Sequence, residues 1–306
     1  HLDRLHAQSL RFTQYHVSPT CAPTRSALLT GRHEFRNGVT HTIFERERLR
    51  LDAVTLADVL RSAGYTTGIF GKWHLGDEDA HLPERRGFDR VLIHGGGGIG
   101  QTFPGSCGDA PDNQYHDPAL WNGQRFEKTK GYCTDIFFDR AGDWIADCKA
   151  QGKPFFAMVT PNAPHDPFVI PSEAWAAPYR DRGLSTNAVA YYSMIAHLDA
   201  ALGRLMARLD TLGLDRDTLV IFQTDNGHSV DKIFNAGMRG MKGTAYQGGI
   251  RVPAFWRWPG RLPAGTDCAA LAAHIDLLPT LAGLAGTDVS HLRSQIECRS
   301  LLPLLE

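Results

Sequence analysis

The chain has 306 residues, with 32 Lys+Arg against 33 Asp+Glu and a formal charge of −1. Hydrophobic residues make up 42% and charged residues 21%, the make-up of a globular chain with one large domain or two modest ones. That balance excludes a strongly basic nucleic-acid binder and an acidic disordered tail, and no apolar run reaches the roughly 18 residues of a membrane helix.

In chain order, Leu2 to Leu10 reads as the middle of a helix. Pro23 suits the first turn of the next one, where its missing N–H costs nothing. A third helix opens at Thr55, with Asp58 completing a capping box, and stops at Gly64. Thr66 to Phe70 is a strand candidate. Gly87 to Tyr132 reads as loop, and its glycines, Gly95 to Gly98, lack the spacing of a nucleotide fingerprint. Beyond it, a helix from about Asp135 to Ala150 carries Phe137, Ala141, Trp144, Ile145 and Cys148 on one face. Strand candidates Phe155 to Thr160 and Leu219 to Thr224 flank a longer helix, about Ala188 to Leu212.

The strand candidates are short apolar runs with little alternation, as in strands buried on both faces of a largely parallel sheet. This predicts an α/β fold with helices on both faces. Polar clusters follow all three: Gly71-Lys72-Trp73-His74, Pro161-Asn162-Ala163-Pro164-His165 and Asp225-Asn226-Gly227. Ligands in open α/β sheets sit beyond the carboxyl ends of strands, so the three clusters point to one site. The six cysteines show no CxxC pair and no zinc spacing.

Ser18 to Gly31 carries the most chemistry. Cys21 stands at the mouth of its helix, among free N–H groups and the positive end of the dipole, with the permanent charge of Arg25 one turn in. That suits a nucleophile for an anionic substrate. A buried structural cysteine fits the same stretch equally well.

Cys21-Ala22-Pro23-Thr24-Arg25, continuing to Thr30-Gly31-Arg32, resembles the first signature of the formylglycine-dependent sulfatases of the alkaline-phosphatase superfamily. Gly64 to Gly76 is similar to the second. Ala163 to Phe168, Thr224 to Gly227 and Lys242-Gly243 through Gly248-Gly249-Ile250-Arg251-Val252-Pro253 resemble later blocks, in the family's order.

The resemblance implies that a maturation enzyme oxidises Cys21 to Cα-formylglycine. One hydroxyl of the hydrated aldehyde attacks sulfur, and loss of the other's proton then expels sulfate. Arg25, Lys72 and Lys242 would hold the sulfate charge, His165 would serve the leaving group and His74 the diol. Asp225, Asn226 and the residue-21 oxygen would bind Ca²⁺, or Mg²⁺. Taken alone, Asp225-Asn226-Gly227 is a turn signal.

Against the family pattern, the chain is expected to start after the first strand and its pair of metal-binding aspartates. Residues 1–306 would then be a catalytic domain, with about 287–306 leading toward a smaller C-terminal subdomain that is also absent. Such a piece is expected to be inactive, whereas its full-length parent is an enzyme. Gln247 stands where many relatives have Glu. A phosphonate monoester or phosphodiester hydrolase is one alternative, and a non-catalytic binder of sulfated glycans is another. Trp121, Tyr115 and Phe126 suggest a stacked sugar substrate, and the family's habits suggest export.

Overall fold

The computed structural model describes residues 1–101 and 109–305. Its elements begin with α1 (Leu2–Ala7), β1 (Leu10–His16), α2 (Cys21–Thr30), α3 (Leu56–Ser62), β2 (Thr66–Lys72) and β3 (Arg90–His94). There follow β4 (Ala119–Trp121), β5 (Phe126–Lys128), α4 (Cys133–Ala150), β6 (Phe155–Thr160), α5 (Glu173–Ala176) and α6 (Thr186–Thr211). The last are β7 (Val220–Gln223), α7 (Gln247–Ile250), β8 (Ala254–Arg257), β9 (Thr266–Ala273) and α8 (Leu277–Leu284). Cys107 lies outside the described residues.

The α/β class holds, with the strands in two sheets of order β5-β4-β3-β2-β6 and β7-β8-β1-β9. Parallel pairing, expected for most of the sheet, is confined to β3-β2-β6 and β1-β9. The departures follow from the connections. β3, β4 and β5 are joined without a crossover helix, so they return antiparallel. Only the four-residue α7 lies between β7 and β8, which also pair antiparallel.

Two expectations change here. Leu10, expected in a helix, opens β1, whose burial alternates over Leu10, Arg11, Phe12 and Thr13 as a strand's does. The segment Gly87 to Tyr132, expected as loop, contains three short strands.

The longer elements form where local chemistry favours them. Thr55 Oγ1 accepts from Asp58 N (3.1 Å) and Asp58 Oδ2 from Thr55 N (3.0 Å), a reciprocal cap that starts α3. Ser185 caps α6 through Ala188 N at 3.2 Å. On one face, Leu5 of α1, Phe138 and Ile145 of α4, and Leu202, Met206 and Leu209 of α6 pack together. Phe155 and Val159 of β6, and Val220 and Phe222 of β7, lean on that cluster, so one helical layer spans both sheets. On the other face Leu29, Leu56, Leu60 and Leu278 meet Ile69, Val91 and Ile93. Each such fully buried aliphatic side chain contributes about 2 kcal/mol. Held from both sides, the carboxyl ends of β2, β6 and β7 bring their loops toward the start of α2.

Candidate active site

Cys21 is the first residue of α2, and Cys21 through Ala27 are all buried. Burial would raise the Cys21 thiol, but the Lys72 ammonium, the charge of His74 and hydrogen bonding with His165 and His74 outweigh it and hold the thiol well below its ordinary range. Burial instead pushes up the thiols of Cys133, Cys148 and Cys298, the last to about 12. That contrast separates Cys21 from the structural cysteines, a distinction its sequence could not make.

Arg25 ties three segments together. Its Nε and Nη2 donate to Asp225 Oδ2 at 3.1 and 2.9 Å, and its Nη1 donates to the Lys72 carbonyl at 3.0 Å. The same carbonyl accepts from Thr160 Oγ1 at 2.9 Å, which joins the ends of β2 and β6. Lys72 is buried, which lowers its pKa; the Cys21 charge works against that and Arg25 adds to it. Asp225 is held below its ordinary range because Arg25 and Lys72 more than offset its burial. Lys242 acts electrostatically on both Lys72 and Asp225. Its backbone N–H reaches the His228 carbonyl (2.9 Å), and Gly243 N reaches the Pro19 carbonyl (2.8 Å), pinning this loop beside Cys21.

His74 follows β2 in a left-handed conformation at φ 63°, a backbone setting found at functional positions. It is buried, with Nε2 2.9 Å from the Thr42 carbonyl and 3.1 Å from Glu47 Oε2. Burial would lower its pKa, but the Cys21 charge and the Glu47 contact raise it overall. His165 Nδ1 lies 2.7 Å from the Asp166 carbonyl, so this nitrogen carries hydrogen and Nε2 is left for the interaction with Cys21. Tyr115 donates its hydroxyl to the His165 carbonyl at 2.6 Å.

The Asp225-Asn226-Gly227 turn fits a hard divalent cation in its donor chemistry. Asn226 Oδ1 is buried without a hydrogen-bond partner, and Asp225 is drawn toward its ionised form. These two supply part of the six to eight oxygens Ca²⁺ takes. Among the described residues no three His, Cys, Asp or Glu gather as a metal site. Gly227 N donates to the Gly249 carbonyl at 2.9 Å, and a Cβ on Gly227 would sit 1.8 Å from the Gly248 carbonyl oxygen. Only glycine permits this approach, which locks the turn against the Gly248-Gly249 pair after Gln247.

The structure thus gathers Cys21, Arg25, Lys72, His74, His165, Lys242 and Asp225 in one site, with Asn226 beside Asp225. Three contributors escaped the sequence. His94, fully buried with neither ring nitrogen partnered, is the register partner of Lys72. Its pKa is driven well down by burial and by Lys72, Arg25, His74 and His165. Only strand pairing reveals it. Gly95 accepts the His74 N–H at 3.0 Å, and a Cβ on Gly97 would meet His74 Cε1 at 3.0 Å, so the glycine run wraps this imidazole. Glu47 is the third. Conversely, Tyr115, expected to stack on a sugar, is fully buried and supports His165 instead.

A buried thiol at a helix start, ringed by cations and two histidines, is an arrangement suited to holding an anionic group. The Sulfatase family model matches residues 1–287, and the chain belongs to that family. It is 36% identical to arylsulfatase A of Bos taurus, covering 99% of this chain and 62% of that protein. The chain therefore spans about 62% of the length of the arylsulfatase A relatives from Bos taurus and Homo sapiens. The crystal structure of Ps i-CgsB in complex with k-i-k-neocarrahexaose superposes with a TM-score of 0.86 at 27% identity, covering 99% of this chain and 69% of that one. The phosphonate monoester hydrolase SpPMH from Silicibacter pomeroyi shares the fold, with a TM-score of 0.66 at 20% identity over 100% of this chain and 71% of that one.

Proposed function

We propose that the chain carries the reacting centre of a sulfuric ester hydrolase whose nucleophile is made from Cys21. The observation that carries this reading is the single environment acting on Cys21, in which Lys72, His74 and His165 all stabilise negative charge at its side chain. Formylglycine at this position supplies a hydrated aldehyde, one hydroxyl for attack on sulfur and a second for release. Arg25, Lys72 and Lys242 hold the sulfuryl oxygens as the S–O bond breaks. His165, in its imidazolium form, gives the leaving alkoxide a proton from Nε2 and is left as the neutral ring with hydrogen on Nδ1.

The test is the mass of the Cys21 peptide after co-expression with a formylglycine-generating enzyme. An aldehyde at Cys21 is expected, and none in a Cys21→Ala control. A persistent thiol, with a known sulfatase converted in parallel, would overturn the reading. Turnover of sulfate against phosphonate esters by the matured full-length protein then tells the two hydrolase chemistries apart, with sulfate expected to be preferred.

Asp225 and Asn226 would hold Ca²⁺, or Mg²⁺, which would polarise the oxygens around sulfur. With so few donors, the 306-residue chain is expected to bind Ca²⁺ no tighter than about 1 mM. Isothermal titration checks this, and Asp225→Asn should abolish the binding heat.

A sulfated carbohydrate is the favoured substrate. Its support is an open groove of about 520 Å³ lined by Tyr179, Arg182, Leu184 and Tyr192. Ring contacts run inward from Tyr179 through Tyr192 and Tyr191 to Phe168, three residues from His165. Such a wall suits sugar rings, and Arg182 suits a further anionic group. Export is part of the same reading; no described helix is long and apolar enough to cross a membrane.

A further inference from the structure

One ring nitrogen of His74 is committed twice, which leaves the other for the side chain at position 21. Nε2 lies 2.9 Å from the Thr42 carbonyl and 3.1 Å from Glu47 Oε2. A backbone carbonyl can only accept, so Nε2 carries hydrogen whatever the charge of the ring. Nδ1 is buried and, among the described residues, meets no partner in full hydrogen-bond geometry, which leaves it as the edge of the ring that interacts with Cys21. The ring lies close to Gly97, where an added Cβ would stand 3.0 Å from Cε1 and 3.1 Å from Nε2.

Glu47 is itself buried, with 5% exposure. It ends the short 3₁₀ turn Phe44–Glu47, and among the described residues its ion pair is with His74. A carboxylate brought this deep needs a partner that carries or can take positive charge. His74 meets that need at the moment it accepts a proton. The neighbours Glu45 and Arg48 are engaged elsewhere, since Arg48 pairs with Glu78 and with Glu45.

We propose that Glu47 is a positioning residue for His74: together with the Thr42 carbonyl it fixes the Nε2–H form and leaves Nδ1 as the atom that faces the side chain at position 21 and takes its proton. The chemical use rests on the hydrolase reading. There the hydroxyl proton passes to Nδ1, the O–H electron pair forms the aldehyde C=O, and the bond to the sulfate oxygen breaks with its pair leaving on sulfate. Glu47 stabilises the imidazolium so formed, the same logic by which a buried carboxylate serves a catalytic histidine elsewhere. Glu47 touches neither substrate nor nucleophile.

The experiment has two arms. In the Cys21→Ala form of the 306-residue chain, where no thiolate draws a second proton onto the ring, ¹⁵N-histidine NMR, with His74 assigned through His74→Gln, should show hydrogen on Nε2, none on Nδ1, and a downfield, slowly exchanging Nε2 proton. In Glu47→Gln that proton should move upfield and exchange at least about tenfold faster, the scale on which outer partners of a histidine act. A hydrogen on Nδ1, or a proton unmoved by Glu47→Gln in a variant that keeps the wild-type thermal midpoint, overturns the proposal.

In the matured full-length protein, Glu47→Gln should lower kcat about ten- to hundredfold while kcat/KM falls much less, with a burst of released alcohol as the sulfated form accumulates. Glu47→Asp should recover part of kcat. Equal losses in kcat and kcat/KM, without a burst, overturn the role in release. If the wild type turns over no ester while the NMR arm holds, the hydrolase reading fails and the positioning of His74 by Glu47 stands.

Discussion

Replacing Arg25 by leucine should reduce kcat/KM of the matured full-length protein about a thousandfold and lower the unfolding free energy by about 3 kcal/mol. Both effects come from one guanidinium. It grips Asp225 Oδ2 through two nitrogens at 3.1 and 2.9 Å and reaches the Lys72 carbonyl at 3.0 Å. Its loss leaves a half-buried carboxylate unpaired, which costs more than the pair itself is worth. It also removes a fixed positive charge from the place where a sulfuryl group gathers negative charge. Arg25→Lys keeps the charge but not the fork, so it should recover stability less completely than its chemistry suggests. Steady-state kinetics with urea unfolding measures both. A loss of kcat/KM under tenfold would remove Arg25 from the machinery.

Between about pH 6.5 and 4, the stability of the wild-type chain should change less than that of Asp109→Asn, and the variant should lose about 2 kcal/mol more on acidification. Two buried groups titrate against each other in this window. Burial lowers His274 from 6.5 to about 4, despite its hydrogen bond to the His16 carbonyl. Its folded value lies below the unfolded one, so its contribution is present above 6.5 and is lost as pH falls toward 4.

Asp109 runs the other way. Burial raises it from 3.8 to about 6, against hydrogen bonds from Asn113, Gly100 and Ala110. Its contribution is complete below 3.8 and is lost as pH rises through 6, so acidification strengthens it where it weakens His274. Asparagine cannot titrate, and the compensation disappears. His94, also depressed by burial, adds to the acid loss in both proteins. Urea midpoints at several pH values check the difference in slope; parallel curves would contradict it.

The sequence made the core of the site readable because its residues sit in contiguous blocks directly after apolar strands. Lys72 ends β2, His165 follows β6, and Asp225 follows β7, each where an α/β sheet presents ligands. β6 matched its expected span from Phe155 to Thr160 to the residue, and the Thr55–Asp58 cap formed as read. What stayed hidden depends on pairing and return of the chain. β1 was masked by a preceding helical pattern, and β8 and β9 are strands that only their partners define. Glu47 lies in a charged stretch, Phe44 to Arg50, that reads as solvated surface; nothing local marks one carboxylate as buried. His94 needed the β2–β3 register, and Tyr115 needed its depth.

The burial of Cys21 also fixes an order of events in the life of the chain. At 2% exposure, inside a helix start with every neighbour from Ala22 to Ala27 covered, its side chain is closed to another enzyme once the fold is made. The walls that close it arrive late, since Arg25 and Asp225 are 200 residues apart. At roughly 5–20 residues per second, a ribosome needs on the order of 10–40 s to deliver the second after the first. Any conversion of Cys21 belongs to that interval. Under the proposed maturation, oxidation and folding are rivals for the same cysteine, and a variant that folds sooner would emerge with less of it converted.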